Sequence, residues 1–125
     1  MRCCPWHRRF LRHDALLSLG IGPGDEVLCP SFTFFAPAGS IARAGATPVF
    51  VDSHADTFNL NLETAADRVT AKTRAITPVH LFGQAADMDA VGALAEEHAL
   101  KIIEDAAQGA RCGEKPVGGL GDFAR

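Results

Sequence analysis

Short apolar runs alternate with longer amphipathic stretches along most of this 125-residue chain. The apolar runs end at proline, glycine or acidic residues, which is typical of strands. Because these runs are apolar almost throughout, they indicate a parallel sheet that is covered on both faces. The pattern therefore predicts a three-layer α/β/α fold with a mainly parallel sheet. The predicted strands are residues 27–29, 48–52, 75–81 and 101–104.

The stretches between these runs have the periodicity and end signals of helices. Asp87 is placed to cap one helix, and Thr33 to cap an earlier one that has Pro37 in its first turn and stops at Gly45. Pro78 interrupts the third predicted strand, because a proline cannot donate to the ladder. The glycine-rich residues 113–119 predict a turn or hairpin. The predicted helices are residues 14–19, 34–44, 61–69 and 87–100.

Charge is unevenly distributed along the chain. The formal net charge is −3, yet residues 1–13 carry four arginines and no acid. The rest of the chain is strongly acidic. A nucleic-acid-binding domain would show a basic face across its folded body, so nucleic acid is not an expected partner.

The cysteines indicate neither a disulfide framework nor a metal site. Cys29 lies within an apolar run, where cysteine usually serves as a small buried hydrophobe. Cys3, Cys4 and His7 lack a fourth ligand at suitable spacing, so zinc is not expected. A reducing cytosol is the simplest compartment. No apolar run is long enough for a transmembrane helix, and no membrane partner is expected.

Candidate chemistry follows the fourth predicted strand, where Asp105 and Gln108 occupy the KIIEDAAQ segment. Ligands of open α/β sheets bind beyond the carboxyl ends of the strands. An aspartate there can hold a proton on a ring nitrogen, and a glutamine can bond a neighbouring oxygen. A pyridinium cofactor such as pyridoxal phosphate needs that pair. His80 ends the third predicted strand, and Phe34 follows the first.

Each of these residues also has a purely structural explanation. Strand-end acids often cap the next helix, and taken alone Asp105 fits that role better than a catalytic one. His80 is equally compatible with a structural histidine. One candidate for stacking on a flat ring is among Phe32, Phe34 and Phe35, although aromatic residues at such spacing mostly belong to a core.

Seven segments of the chain form a recognisable series of motifs: GPGDEV at 22–27, PSFTF at 30–34, GATPVFVD at 45–52, PVHLFGQ at 78–84, ADMD at 86–89, IEDAAQ at 103–108 and VGGLGD at 117–122. Taken in order, these motifs resemble the DegT/DnrJ/StrS family of sugar aminotransferases over residues 14–124. That resemblance implies pyridoxal-phosphate enzymes of the aspartate-aminotransferase fold (fold type I), which act as homodimers with shared active sites. It also implies transfer of an amino group, usually from glutamate, to a keto sugar that is typically nucleotide-linked.

The resemblance also implies cofactor-binding roles at matching positions. Asp105 would hold the pyridinium N–H, Gln108 would contact the ring hydroxyl and Phe34 would stack on the ring. His80 would lie near that pocket, with a role that the resemblance does not define. The family's Schiff-base lysine lies about ten residues beyond the position of Asp122, outside this chain. We therefore expect no catalytic residue in the chain, and we expect the chain alone to be inactive.

The N-terminal segment departs from the family pattern. Where the family has Ser-Gly-Thr before Asp-Ala-Leu, this chain has Leu11, Arg12 and His13 before Asp14. Backbone N–H groups there would hold the cofactor phosphate, and an arginine in place of glycine obstructs that approach. We therefore divide the chain into an atypical basic segment, residues 1–13, and a partial cofactor-binding large domain, residues 14–125. A shifted reading frame is our hypothesis for the first segment.

Two other functions stay open from the sequence alone. One is a non-catalytic α/β binding module, which would not respond to pyridoxal phosphate. The other is a sugar dehydratase of the same family, in which a histidine replaces the Schiff-base lysine. The replaced position would lie beyond Arg125, so the residues present do not separate it from an aminotransferase.

Overall fold

The computed structural model describes residues 13–33, 35–80 and 86–105, together with a short strand at 123–124. Within these residues, helices and strands alternate along the chain. The helices are α1 (residues 13–18), α2 (Ala36–Arg43), α3 (Leu62–Arg68) and α4 (Met88–His98), and the strands are β1 (Glu26–Pro30), β2 (Thr47–Val51), β3 (Thr73–Ile76), β4 (Lys101–Glu104) and β5 (Phe123–Ala124).

The strands of the described part form one sheet in the order β2-β1-β3-β4-β5, and every neighbouring pair is parallel. Leu28 of β1 lies opposite Val49 of β2 on one side and Ile76 of the central strand β3 on the other. The register continues outward, because Ile76 also pairs with Ile102. The predicted parallel sheet is confirmed.

Side chains alternate between the two faces of the sheet and form a core on each. Val27 and Cys29 pack on the face that α1 and α2 cover, whereas Leu28 packs on the face that α3 and α4 cover. Full burial of an aliphatic side chain stabilises a fold by about 1.5–3 kcal/mol, so both cores contribute substantially. The three-layer arrangement is therefore confirmed. Burial also raises the pKa of the Cys29 thiol to about 12, as expected of a buried cysteine.

Side-chain caps fix the start of two helices. Asn61 accepts hydrogen bonds from the backbone N–H groups of Glu63 and Thr64 at the start of α3. Asp87 accepts one from the N–H of Ala90 at 3.1 Å, which confirms the predicted cap of α4. These bonds satisfy donors that a helix start leaves free.

The predicted N-cap of α2 at Thr33 is wrong. Helix α2 begins at Ala36 with Phe35 as its N-cap residue and without a side-chain capping bond. Pro37 explains the later start. With Thr33 as the cap, Pro37 would be the fourth helical residue, whose N–H must bond the cap carbonyl, whereas the later start places proline in the first two positions. The predicted stop at Gly45 is confirmed, because Gly45 adopts φ +84° directly after the C-cap residue Ala44.

The third strand is shorter at its carboxyl end than predicted. It ends at Ile76, before Pro78, although the N–H of Thr77 still donates to the carbonyl of Leu28 at 2.8 Å. The absent N–H of Pro78 explains why regular pairing stops there. The predicted turn over residues 113–119 lies outside the described residues. No helix in the described part of the chain is both long and apolar enough to cross a membrane.

Candidate active site at the carboxyl end of the sheet

Two backbone hydrogen bonds fix the position of Asp105, which directly follows β4. Its N–H donates to the carbonyl of Pro78 at 2.9 Å, and its carbonyl accepts from the N–H of His80 at 3.1 Å. Val79 and Asp105 thereby form a parallel bridge beyond the regular ends of β3 and β4. The polypeptide that continues β3 therefore holds Asp105 at the carboxyl edge of the sheet, as predicted from the sequence.

Three ionisable side chains are buried at this edge. Asp105 is 5% exposed, Glu104 is 1% exposed and His80 is fully buried. Ionisable groups rarely lie so deep unless other groups compensate for the lost hydration. Such burial is typical of functional sites.

Strand alternation separates these three groups onto two faces. Ile103 packs with the core beneath α1 and α2, and Ile102 with the core beneath α3 and α4. Because successive strand residues point to opposite faces, Asp105 belongs to the α1/α2 face and Glu104 to the α3/α4 face. The parallel bridge places Val79 on the same face as Asp105, and hence His80 on the face of Glu104.

A small hollow of about 10 Å³, partly open to solvent, lies on the α1/α2 face. Two hydroxyl residues, Ser40 and Thr77, contribute polar groups to an otherwise apolar lining, and the Ser40 hydroxyl already donates to the carbonyl of Ala36 at 2.8 Å. Ligand pockets usually measure about 300–1,000 Å³, whereas this hollow has room for about one water molecule and is not itself a ligand pocket. The lining residues are Leu16, Pro37, Ser40, Ile41, Thr77 and Ile103.

The His80 imidazole contacts protein groups on the α3/α4 face. Its Nδ1 accepts a hydrogen bond from the N–H of Ala86 at 3.0 Å, and its Nε2 lies 3.8 Å from Glu104 Oε1. Burial lowers the pKa of His80, and the negative charge of Asp105 opposes that shift. His80 is therefore a neutral imidazole with its proton on Nε2.

The predicted site residues have different outcomes. The structure brings Asp105 and His80 together through their backbones, but their side chains belong to opposite faces. Phe34 and Gln108 lie outside the described residues, so their predicted cofactor contacts stay predictions. The expectation that the neighbouring phenylalanines belong to the core is wrong for two of them: Phe32 is 51% exposed and Phe35 is 83% exposed.

Glu104 is the residue that sequence reasoning missed. The sequence presented it only as the last residue of a strand, and its burial beside His80 is a tertiary feature. Strand alternation offered a signal. An acid that follows Ile102 by two positions must share its covered face, where a charge is unusual.

The sequence of this chain is similar to those of known proteins. A sequence model of the DegT/DnrJ/EryC1/StrS aminotransferase family matches residues 12–125. A "Pleiotropic regulatory protein" of Geobacillus stearothermophilus is 58% identical over 114 residues, covering 90% of this chain and 31% of the relative. A GDP-perosamine synthase of Caulobacter vibrioides is 50% identical over the same fractions. The chain thus spans about a third of the length of these relatives.

Solved structures show the same arrangement. An aminotransferase from Psychrobacter cryohalolentis superimposes with a TM-score of 0.87 at 42% identity, covering 90% of this chain and 29% of that one. The S. venezuelae protein DesV, solved in complex with a ketimine intermediate, has a TM-score of 0.79 at 48% identity, covering 81% and 27%. The predicted relation to fold-type-I transferases is confirmed.

Proposed function

Because the chain belongs to the DegT/DnrJ/EryC1/StrS aminotransferase family, we propose that it forms the ring-binding part of a pyridoxal-phosphate-dependent sugar aminotransferase. The proposed reaction moves an amino group from an amino acid, glutamate by preference, to a keto sugar that is nucleotide-linked. The proposed assembly is a homodimer. Relatives that carry this chemistry in their names include a UDP-2-acetamido-2-deoxy-3-oxo-D-glucuronate aminotransferase.

One observation supports this proposal most directly: Asp105 is a buried carboxylate held by its backbone at the carboxyl end of a parallel strand. Such a carboxylate can accept a hydrogen bond from the N–H of a pyridinium ring, so this acceptor fits the cofactor. Bound pyridoxal phosphate supplies an electron sink for the amino-group transfer. Asp105 would keep the proton on the ring nitrogen.

The surroundings of Asp105 suit this role. Low exposure excludes water from the carboxylate, which strengthens a charge-assisted hydrogen bond. Phe34 and Gln108 are proposed to contact the ring face and its hydroxyl. His80 stays on the opposite face and is not proposed to touch the ring.

A chimera tests the proposal. Residues 14–125 would replace the matching segment of the Caulobacter GDP-perosamine synthase, whose own sequence supplies the residues before Asp14 and the rest of the protein. We expect the chimera to bind pyridoxal phosphate and to form GDP-perosamine. Asp105→Asn should weaken cofactor binding about 10–100-fold, because a hydrogen bond to a charged group contributes about 1.5–3 kcal/mol.

Asp25→Asn provides the matched control. Asp25 lies at the opposite end of the sheet, where its carboxylate accepts from Arg74 and from the N–H of Gly22. This variant should bind the cofactor as the unmodified chimera does. A folded chimera that binds no pyridoxal phosphate, or equal binding by the Asp105→Asn and parent chimeras, would contradict the proposal.

A further inference from the structure

His80 joins three separate parts of the chain at the carboxyl edge. Its imidazole accepts from the N–H of Ala86, just before α4, and faces Glu104 at the end of β4. Its own backbone N–H donates to the carbonyl of Asp105. A single fully buried residue therefore links the start of a helix to the candidate ring-binding carboxylate.

The direction of the Ala86 hydrogen bond fixes the orientation of the imidazole. An N–H donor requires an unprotonated nitrogen opposite it, so Nδ1 is the acceptor and Nε2 carries the proton. A ring rotated by half a turn would present a carbon to Ala86 and lose the bond. Within the described residues, Nε2 has no partner at hydrogen-bond distance, and Glu104 Oε1 at 3.8 Å is the acidic oxygen that it faces.

The shorter of these two contacts, the hydrogen bond from Ala86, anchors the imidazole. A 3.0 Å bond from a backbone N–H has ordinary hydrogen-bond length, whereas 3.8 Å exceeds it. The anchor fixes His80 relative to α4, and the backbone of His80 in turn fixes Asp105. The path from helix to carboxylate thus runs through one side chain and one backbone hydrogen bond.

We propose that His80 is a positioning residue for Asp105. Its Ala86 hydrogen bond holds the polypeptide that continues β3, and that polypeptide holds the Asp105 carboxylate where it can meet a ring nitrogen. The importance of that position for catalysis rests on the function proposed above. The positioning itself concerns only groups within this chain.

Two substitutions separate the anchor from simple space filling. His80→Asn keeps an acceptor oxygen near the place of Nδ1, so it can retain the bond from Ala86. His80→Gln has a longer side chain that reaches toward Glu104, but it has no acceptor at the position of Nδ1. His98→Asn is the control, because His98 is an exposed histidine at the end of α4.

Amide hydrogen exchange of the 125-residue chain measures the effect at Asp105, whose N–H bonds to Pro78. We expect His80→Gln to accelerate exchange of the Asp105 amide about 5–10-fold, the equivalent of one ordinary hydrogen bond. His80→Asn should stay near the parent rate. The Ser31 amide, which donates to Val51 at the same edge, should be unchanged in both.

The carbon-13 chemical shift of the Asp105 carboxyl carbon at neutral pH adds a second, spectroscopic readout of the position of this group. His80→Gln should change this chemical shift, and His80→Asn should restore it. Unchanged Asp105 signals in His80→Gln, or equal acceleration of the Asp105 and Ser31 amides, would overturn the proposal. Failure of the parent chain to bind pyridoxal phosphate would count only against the function proposed above, because exchange at Asp105 still decides the role of His80.

Discussion

The two ends of the sheet differ in how far their ionisable side chains are exposed to solvent. At the amino end, Glu26 accepts a hydrogen bond from the exposed Thr70 hydroxyl at 2.6 Å, and Arg74 lies 3.3 Å from Asp25 with 65% of its side chain exposed. At the carboxyl end, Glu104 and His80 are both 1% exposed. The same sheet thus has a hydrated polar end and a dehydrated one.

This difference indicates what each end does. Exposed ion pairs contribute about 0–1 kcal/mol and cost little to form. The charged groups at the amino end are therefore explained by their contacts with the neighbouring loops. Buried ionisable groups lose hydration that apolar residues would not lose. Their presence at the carboxyl end is therefore better explained by chemistry than by stability.

The largest predicted contrast is between the stability losses caused by replacing Glu104 and Glu26 with alanine. Glu104→Ala should lower the free energy of unfolding by about 2–4 kcal/mol, because it removes a fully buried side chain and leaves a cavity. Glu26→Ala should lower it by about 1 kcal/mol or less, because water replaces the exposed hydrogen bond. Urea unfolding of the chain measures both. Equal losses would remove the contrast between the two ends.

A smaller contrast concerns backbone conformation near the amino end. Gly45 adopts φ +84°, and an added Cβ would lie 3.0 Å from Pro23 Cγ, whereas Ala99 already adopts φ +54°. Gly45→Ala should therefore destabilise the fold by about 1–3 kcal/mol, and Ala99→Gly should stabilise it by about 1 kcal/mol. Unfolding midpoints of the two variants should move in opposite directions. Movement in the same direction would show that the turns do not limit stability.

The smallest predicted effect is a pH dependence from His80. Its pKa is lowered by burial, with Asp105 opposing the shift, so below about pH 6.5 the unfolded chain binds a proton that the folded chain resists. Stability is therefore complete above that pH and falls as the pH drops toward the folded pKa. Glu104 is the acid that faces the His80 imidazole, with Oε1 3.8 Å from Nε2, and the negative charge of nearby Asp105 opposes the lowering of the His80 pKa and so reduces the loss.

His80→Asn supplies the comparison for that pH effect, because asparagine does not titrate. As the pH falls below about 6.5, the unfolding midpoint of the parent should decrease more than that of the variant. A difference that is constant with pH would show that His80 does not titrate differently in the folded chain.

Local patterns predicted much of this fold. The apolar run before Glu104 located β4, and Asp87 marked the start of α4 by side-chain chemistry alone. The cap at Thr33 failed because proline's missing N–H had more influence than the capping preference. Phe32 failed as a core residue because it follows the end of β1 and stacks on Phe58 in another loop, with ring centroids 5.2 Å apart.

The site was predictable only in part. Asp105 could be located because strand ends are sites of chemistry in parallel sheets. The contacts of the His80 imidazole could not be predicted, because Ala86 and Glu104 reach it only through the tertiary fold. Sequence spacing identifies which residues reach an edge, whereas the register between β3 and β4 decides which side of the sheet each one occupies.

The central claim is that Asp105 holds the proton on a pyridine ring nitrogen. Pyridoxal phosphate labelled with nitrogen-15 in the ring, bound to the chimera in mildly alkaline buffer, tests it by NMR. We predict the chemical shift of a protonated ring nitrogen in the parent chimera and of an unprotonated one in Asp105→Asn. Identical ring-nitrogen shifts in the two bound forms would contradict the account.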